Sequence, residues 1–540
     1  MKMEEFMKKT IYLNGLIETV CDGRQQAMVI LDKNIMYVGT NKEAMTYADS
    51  FTEIVDLQGK MVLPGFNDSH MHLIGYGTLL SQLRLQEHTS SIQEVIRYCK
   101  EYIKNHAYKE GQWICGRGWN HDFFKDEKRF LTKHDLDCIT TTHPLYLTRA
   151  CGHVAVCNSK ALEVAGLEKQ LLTVEGGSVD LEKGLFFDNA LSLLYNAVPQ
   201  PSVEDLMDMI LKACQALNKD GITSCQTDDF TNYNVPYEMF IEAYQRLYEK
   251  GLLTVKVNEQ SQLWNMELLK DFISKGYKTG MGHEYFKIGP LKLLGDGSLG
   301  ARTAYLTEPY CDDQSTSGLA CYSQKQLDEM IQYAHNHEMQ IAVHCIGDGI
   351  MTSVMNSYKK VLGQYSVNNQ RHGIVHCQIT NETLLNDLEN LNLIAYIQPI
   401  FLDYDLHIVQ DRVGSKRANS SYQFKRLYKQ HACGGSDCPV EFPNVLKSIQ
   451  CAMTRCDLNG VGPYLEDQAL SFDECLRLYT IEGAYASFEE NIKGTIEKGK
   501  RADFVIFEHD LREVDIMKLK DEEVYMTILD GVVVYQKNQL

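Results

Sequence analysis

The chain has 540 residues, of which 44% are hydrophobic and 23% charged, a composition typical of a globular protein with a sizeable core. Its 53 basic and 72 acidic residues give a net charge of -19, so nucleic acid is not an expected partner. No apolar run approaches the ~20 residues that cross a bilayer. We therefore expect a cytoplasmic protein without a membrane partner, whose 17 scattered cysteines stay reduced.

Both ends of the chain read as short β-strands. Apolar runs bounded by turn residues predict strands at 10–20, 27–31, 34–38, 502–508 and 524–535, the last interrupted at Asp530-Gly531. Two β-rich ends separated by a long α/β region predict one small β-sandwich domain. Residues 1–60 form its first part and residues 486–540 its second.

The middle of the chain, residues 61–485, alternates short apolar strands with amphipathic helices, which is typical of parallel βα units. The candidate strands number eight, which is the number that closes a TIM (β/α)8 barrel. They are predicted at 61–66, 222–226, 253–258, 288–295, 340–345, 373–377, 392–397 and 431–436.

Capping boxes mark two helix starts, at Ser91 to Glu94 and at Ser471 to Glu474. In the first helix one face is apolar and is expected to pack on the barrel; it carries Ile92, Val95, Ile96, Cys99 and Ile103. The connection from the first to the second barrel strand is far longer than a normal βα loop. The sequence therefore predicts an inserted subdomain at about residues 85–200.

Chemically active side chains stand at the ends of several predicted barrel strands. His70 and His72 follow the first strand on one side of an extended chain, although a His-x-His pair alone is weak evidence for ligation. Four more lie on or after strands four, five, six and eight, and they are Lys292, His344, His376 and Asp437. Because barrel enzymes work at the carboxyl ends of their strands, these six side chains are expected to converge on metal.

The sequence allows two interpretations of the role of Lys292. An ammonium group cannot ligate a metal, so Lys292 contributes to a metal site only if it is deprotonated and modified. Alternatively, it forms an ordinary ion pair with Asp296, because a buried lysine needs a neutralising partner.

The motifs resemble those of the amidohydrolase superfamily, in its YtcJ-like branch (amidohydrolase family 3), which includes N-substituted formamide deformylases. The matching stretches are LPGFNDSHMH at 63–72, GH at 152–153 with NSKAL at 158–162, KLLGDGS at 292–298, His344 with Gly347-Asp348, GSDCPVE at 435–441, and KGKRAD at 498–503. The resemblance covers essentially the whole chain.

The resemblance implies a binuclear centre for two divalent ions, with zinc expected and iron, manganese or cobalt as alternatives. His70, His72 and Asp437 would hold one ion, His344 and His376 the other, and a carboxylated Lys292 would bridge them. It further implies that a metal-bridging hydroxide attacks, and that Asp437 carries its proton to the leaving nitrogen.

The residues that contact substrate are harder to read. His153 is either a contact or a buried histidine, whereas Trp119 and Asp122 either line the pocket or pack the inserted subdomain. Arg302 either binds a substrate carboxylate or forms a surface salt bridge. Asp296 is a further candidate contact.

The leading hypothesis is hydrolysis of a non-peptide C–N bond, of an amide or of an N-formyl or N-acyl group, in a small molecule. A mononuclear deaminase would instead carry a glutamate after strand five and no lysine on strand four, whereas this chain has Cys345-Ile346-Gly347-Asp348 and Lys292. A non-catalytic metal-binding barrel is a third reading, although such a protein need not keep all six ligands. A homodimer is the expected assembly.

Overall fold

The computed structural model describes residues 8–106, 108–109, 111–151, 153–167, 174, 176–363 and 369–537. Gly152, one residue of the quoted motifs, lies outside these ranges. The chain divides into two compact units: unit 1 comprises residues 1–76 and 206–540, and unit 2 comprises residues 77–205.

The strands of the described residues are, in chain order, β1 (Lys9–Leu13), β2 (Leu16–Glu18), β3 (Arg24–Gln25), β4 (Ala27–Leu31), β5 (Asn34–Gly39), β6 (Glu53–Asp56), β7 (Met61–Pro64), β8 (Phe66–Met71), β9 (Leu83–Arg84), β10 (Ile114–Trp119), β11 (Leu145–Arg149), β12 (Val154–Cys157), β13 (Gly177–Asp180), β14 (Leu185–Asp188), β15 (Ile222–Thr227), β16 (Lys256–Gln262), β17 (Gly282–His283), β18 (Phe286–Leu294), β19 (Ile341–Cys345), β20 (Gly373–His376), β21 (Ile394–Ile397), β22 (Ala432–Gly434), β23 (Phe504–Phe507), β24 (Val524–Leu529) and β25 (Val532–Gln536).

The α-helices are α1 (Asn41–Ala44), α2 (Leu73–Ser81), α3 (Ile92–Asn105), α4 (Lys133–Asp137), α5 (Ser159–Val164), α6 (Leu191–Tyr195), α7 (Val203–Lys219), α8 (Tyr237–Glu249), α9 (Met266–Ser274), α10 (Gln324–Asn336), α11 (Asp348–Leu362), α12 (Glu382–Asn390), α13 (Leu402–Asp405), α14 (Val409–Ala418), α15 (Phe424–Tyr428), α16 (Val445–Thr454), α17 (Phe472–Leu478) and α18 (Ile481–Ala486). Short 3-10 helices lie at Met45–Tyr47, His121–Phe123, Pro399–Phe401, Glu466–Gln468 and Ile516–Asp521.

Unit 1 contains a nearly closed parallel barrel with the strand order β8-β15-β16-β18-β19-β20-β21-β22. The segment after β22 returns to β8, where the Asp437 backbone N–H donates to His70 O over 2.8 Å and the His72 N–H donates to Cys438 O over 2.7 Å. The predicted barrel fold is thus confirmed. Parallel strands are covered by helices on the outside, which explains why most of them read as continuous apolar runs.

Two further sheets of unit 1 combine the two ends of the chain, as the sequence predicts. One has the order β5-β4-β1-β6 and the other β25-β24-β23-β7-β2-β3. Their facing sides share a core, which includes Tyr12, Met28, Ile30, Val62, Phe504, Ile506 and Ile528. This arrangement is a β-sandwich built from both termini.

The prediction of the first barrel strand at 61–66 is wrong. Met61–Pro64 is β7, which pairs antiparallel with β23 in the terminal sheet, and the barrel strand is β8, Phe66–Met71. A continuous apolar run cannot reveal that a chain changes sheets within it. The chain passes from one sheet to the other at Gly65, where a larger residue does not fit, since a Cβ there would lie 2.2 Å from Thr223 Oγ1.

Unit 2 has its own sheet, of order β13-β14-β12-β11-β10-β9, in which β9, β10 and β11 are parallel. The apolar face of α3 contributes to the hydrophobic core of unit 2 itself, whereas the sequence analysis expected it to pack on the barrel. Its core includes Ile92, Val95, Cys99, Ile114, Trp119, Leu145 and Leu147. An inserted subdomain therefore has a hydrophobic core of its own.

Candidate functional site

Five strands of the barrel bring the six predicted ligands together at their carboxyl ends. His70 lies in β8, Lys292 in β18, His344 in β19 and His376 in β20, whereas His72 and Asp437 follow β8 and β22. All but His72 are buried. His376 and Asp437 adopt left-handed backbone conformations, with φ of 74° and 58°, which are typical of functional sites.

Asp437 lies at the centre of this cluster. Its Oδ1 is 3.3 Å from His70 Nε2 and 3.1 Å from His72 Nε2. Ligand atoms of His70, His376 and Asp437 all lie within 4.8 Å of one another, and the His344 and His376 rings have centroids 4.4 Å apart. These distances suit ligands that share metal ions.

Each imidazole of the cluster has its Nδ1 occupied by an acceptor. His70 Nδ1 donates to Gln260 Oε1 (2.8 Å), His72 Nδ1 to Asp228 O (2.9 Å), His344 Nδ1 to Asp296 Oδ1 (2.9 Å) and His376 Nδ1 to Gln398 Oε1 (2.7 Å). In a neutral imidazole this leaves the Nε2 lone pair free. The donor set therefore fits a divalent metal.

Burial governs the electrostatics of the site. Burial, followed by the charge of Lys292, lowers the pKa of His70 to about 4. Burial also lowers the pKa of His376 well below its ordinary value, with a further contribution from His344. For Asp437, burial acts to raise the pKa, but the contacts with His70 and His72 outweigh it and hold the pKa well below the usual range. His70 and His376 are thus neutral and Asp437 is ionised, as ligation requires. For His72, burial acts to lower the pKa, but the hydrogen bond to Asp437 outweighs it and raises the pKa to about 9, so this imidazole must lose a proton to bind a metal.

Lys292 pairs with Asp228, not with Asp296, which corrects the alternative that the sequence left open. Lys292 Nζ lies 3.1 Å from Asp228 Oδ2 and 3.5 Å from His70 Nε2. The carboxylate of Asp296 instead accepts from His344 Nδ1 and from three backbone N–H groups. Asp296 thus lies behind His344, where it can orient this proposed metal ligand. The sequence analysis had instead suggested Asp296 as a substrate contact.

Two of the remaining candidates lie in ion pairs. Arg302 forms a two-pronged pair with Asp312, with N···O distances of 3.1 and 2.9 Å, as in the salt-bridge reading. In unit 2, Asp122 pairs with Arg149 over 2.7 Å. Their roles in substrate binding stay predictions.

The other two candidates of unit 2 differ in exposure. Trp119 is fully buried and its indole N–H donates to Leu147 O, which is the environment of a core residue. His153 has a side chain that is 74% exposed and contacts Asp188, so it is not the buried histidine of the alternative reading. Whether either touches substrate stays a prediction.

Three residues of the site were missed in the sequence. Asp228 directly follows β15, so inspection of that strand end would have found it. Gln260 lies in β16, which was predicted at 253–258, too early to include it, whereas Gln398 directly follows β21. Glutamines at strand ends carry no recognisable metal-site pattern.

Comparisons with known proteins agree with this geometry. A model described as the amidohydrolase family matches residues 53–535. The putative amidohydrolase YtcJ of Bacillus subtilis (strain 168) is 31% identical, over 98% of this chain and 100% of that protein. The N-substituted formamide deformylase of Arthrobacter pascens is 22% identical, over 98% of this chain and 99% of that protein. The resemblance predicted from the motifs is confirmed.

A solved structure shares the fold over nearly the full length. The crystal structure of an uncharacterized metal-dependent hydrolase from Pyrococcus furiosus superposes with a TM-score of 0.77 at 28% identity. The match covers 93% of this chain and 99% of that one.

Proposed function

Because the chain belongs to the amidohydrolase family, we propose that it is a metal-dependent hydrolase that cleaves a non-peptide C–N bond in a small molecule. The substrate class is an amide, in particular an N-formyl or N-acyl compound. One observation carries the proposal: four imidazoles with blocked Nδ1 atoms surround Asp437 and Lys292. Such a set of donors is costly to assemble in a buried site unless it binds metal.

The six residues divide between two divalent ions, with zinc as the expected metal. His70, His72 and Asp437 would hold one ion and His344 and His376 the other, with Lys292, carboxylated by carbon dioxide, contacting both. When bound, such ions polarise the substrate carbonyl and lower the pKa of water towards ~7. The buried ammonium of unmodified Lys292 has Asp228 as its counter-charge.

Asp437 is the proposed catalytic residue. Its carboxylate takes the proton that the attacking water loses and delivers that proton to the nitrogen of the scissile bond. The C–N bond then breaks, so that the nitrogen leaves as an amine and the acyl group leaves as a carboxylic acid, which is formate in the case of an N-formyl substrate. The low pKa of Asp437 keeps the carboxylate ionised before the reaction.

The partners and location proposed from the sequence accompany this function. We propose a small-molecule substrate, a homodimeric assembly and a cytoplasmic location. Over the part of the chain that the structure describes, none of the helices has the length and apolar character to span a bilayer.

The first experiment measures metal content and hydrolysis together. Purified protein, loaded with zinc, is analysed for metal per chain and assayed on panels of N-formylamines, N-acylamines and dipeptides, with detection of released amine. We expect near two ions per chain, release of amine from the amides, and a rate at least 100-fold lower in Asp437→Asn.

Asp457→Asn is the matched control, since Asp457 is a buried aspartate whose partners are His407 and the backbone N–H groups of Asn459 and Val461. It should keep both metal and activity. No bound metal under zinc-replete conditions would overturn the proposal. Hydrolysis of dipeptides alone would overturn the assignment to non-peptide bonds.

A further inference from the structure

Two imidazoles of the site are supported in the same way. His70 and His376, which form a compact cluster with Asp437, each have the carboxamide of a glutamine behind the ring. The other two, His72 and His344, have a backbone carbonyl and a carboxylate in this position. The matched support of His70 and His376 points to a shared role.

Gln260 is fixed at both ends of its amide. Its Oε1 accepts from His70 Nδ1 at 2.8 Å, and its Nε2 donates to Ser69 O at 3.1 Å. Because a carbonyl oxygen only accepts, the amide nitrogen must face Ser69 and the oxygen must face His70. The orientation of the amide therefore sets His70 Nδ1 as the protonated nitrogen.

The backbone around Gln260 is irregular on both sides. Ser69 and His70 of β8 together stand opposite a single residue of β15, and Gly289 and Pro290 of β18 stand opposite Gln260 itself. Such bulges free backbone groups and re-aim side chains next to active sites. Gln260 thus donates to Ser69 O in the bulge of β8 and accepts a hydrogen bond from the imidazole of His70 in the same bulge.

Gln398 repeats this pattern across the barrel. Its Oε1 accepts from His376 Nδ1 at 2.7 Å, and its Nε2 donates to Tyr396 O at 3.0 Å. Both glutamines are buried, with 0% and 3% of their surface exposed. A buried amide whose two ends are satisfied has one orientation only, so the His376 tautomer is fixed in the same way.

We propose that Gln260 and Gln398 are positioning residues that hold His70 and His376 as metal-ready tautomers and thereby set the metal affinity of the centre. This inference rests on the proposed function, since it concerns the same metal site. Glutamine suits the task because it fixes the tautomer without adding charge. A carboxylate in its place would face Ser69 O or Tyr396 O as a second acceptor.

The experiment compares zinc affinity in Gln260→Leu, Gln398→Leu and Gln398→Glu, by competition with a chelator of known affinity. Each leucine variant should bind zinc 10- to 100-fold more weakly, which is the usual effect of removing a hydrogen-bond partner of a metal ligand. Gln398→Glu keeps an acceptor for His376 Nδ1 and should recover most of the affinity. The visible absorption of the cobalt-loaded protein should shift in the leucine variants and not in the control.

Gln340→Leu is the matched control, because Gln340 is a buried glutamine directly before β19, at the opposite end of the strand from His344, and its amide nitrogen donates to Arg371 O and Ala486 O. It should lower the thermal stability of the metal-free protein without changing zinc affinity. If the leucine variants at 260 and 398 bind zinc as the control does, the inference fails while the proposed function stands. If the wild-type protein binds no zinc, both fail.

Discussion

The carboxylate of Asp296 offers a quantitative test of how the site is held together. Its Oδ1 accepts from His344 Nδ1 and Ile346 N, and its Oδ2 accepts from Gly347 N and Tyr305 N, over 2.8 to 3.1 Å. The side chain is fully buried. In Asp296→Asn, the new NH₂ group must face one of these two pairs of donors, whichever way the amide turns.

Two buried donors therefore lose their acceptor. At about 1–3 kcal/mol for each, the metal-free protein should lose roughly 2–6 kcal/mol of stability. If the amide turns its nitrogen towards His344, the imidazole also loses the partner that fixes its tautomer, and zinc affinity should fall by about 10- to 100-fold. The measurements are the urea unfolding midpoint without metal and a competitive zinc titration.

Asp348→Asn is the control for this substitution. The Asp348 carboxylate is also buried, but its partners are the backbone N–H and the hydroxyl of one residue, Thr307. A hydroxyl can accept as well as donate, so the amide satisfies both groups and the loss should stay below about 1 kcal/mol. Equal unfolding midpoints and equal zinc affinities for the two variants would refute the reasoning.

Three further predictions concern other buried groups. For Glu489, burial acts to raise the pKa, but Lys493 and Lys287 outweigh it and lower the pKa to about 2. This carboxylate therefore stabilises the fold above pH 4.5, and its contribution is lost as the pH falls towards 2. Glu489→Gln should remove about 3 kcal/mol at pH 7 and flatten the loss of stability in acid, which urea midpoints between pH 3 and 7 measure. Asp228→Asn leaves the Lys292 ammonium buried without its counter-charge and should destabilise the metal-free protein by about 3–5 kcal/mol. In the same urea assay, the double variant Asp228→Asn with Lys292→Met should be more stable than Asp228→Asn alone. Trp119→Ala should cost about 3–5 kcal/mol and expose residues 77–205 to limited proteolysis while metal content is retained; resistance to the protease would contradict a core role.

The barrel could be predicted from the sequence because parallel strands are buried on both faces. Strands such as Ile341–Cys345 and Gly373–His376 read as apolar runs and were placed within a residue of their observed bounds. Strand β16, Lys256–Gln262, was placed too early because its second half is polar. Asn258, Glu259 and Gln260 are buried nevertheless. The strand therefore continues beyond the apolar residues by which the sequence reveals it.

The convergence of six side chains at the candidate site could be predicted from the sequence, but the groups that support them could not. Histidine, lysine and aspartate at strand ends stand out because those positions converge in a barrel. The acceptors behind the imidazoles include a backbone carbonyl, Asp228 O, which no side-chain pattern can indicate. Likewise, the sequence does not show which carboxylate lies beside Lys292. The structure identifies it as Asp228 and not Asp296.

The crossing at Gly65 links the assembly of the candidate metal centre to the order in which the chain is synthesised. Strand β7 pairs with β23, and Gly65 N donates to Asp503 O, so the segment that leads into β8 is completed by residues near the carboxyl end. On the ribosome, His70 emerges early, but β23, which anchors its approach, emerges only after all eight barrel strands. We expect the nascent chain to acquire metal only after β23 has emerged, and truncation before β23 to yield a protein unable to retain it.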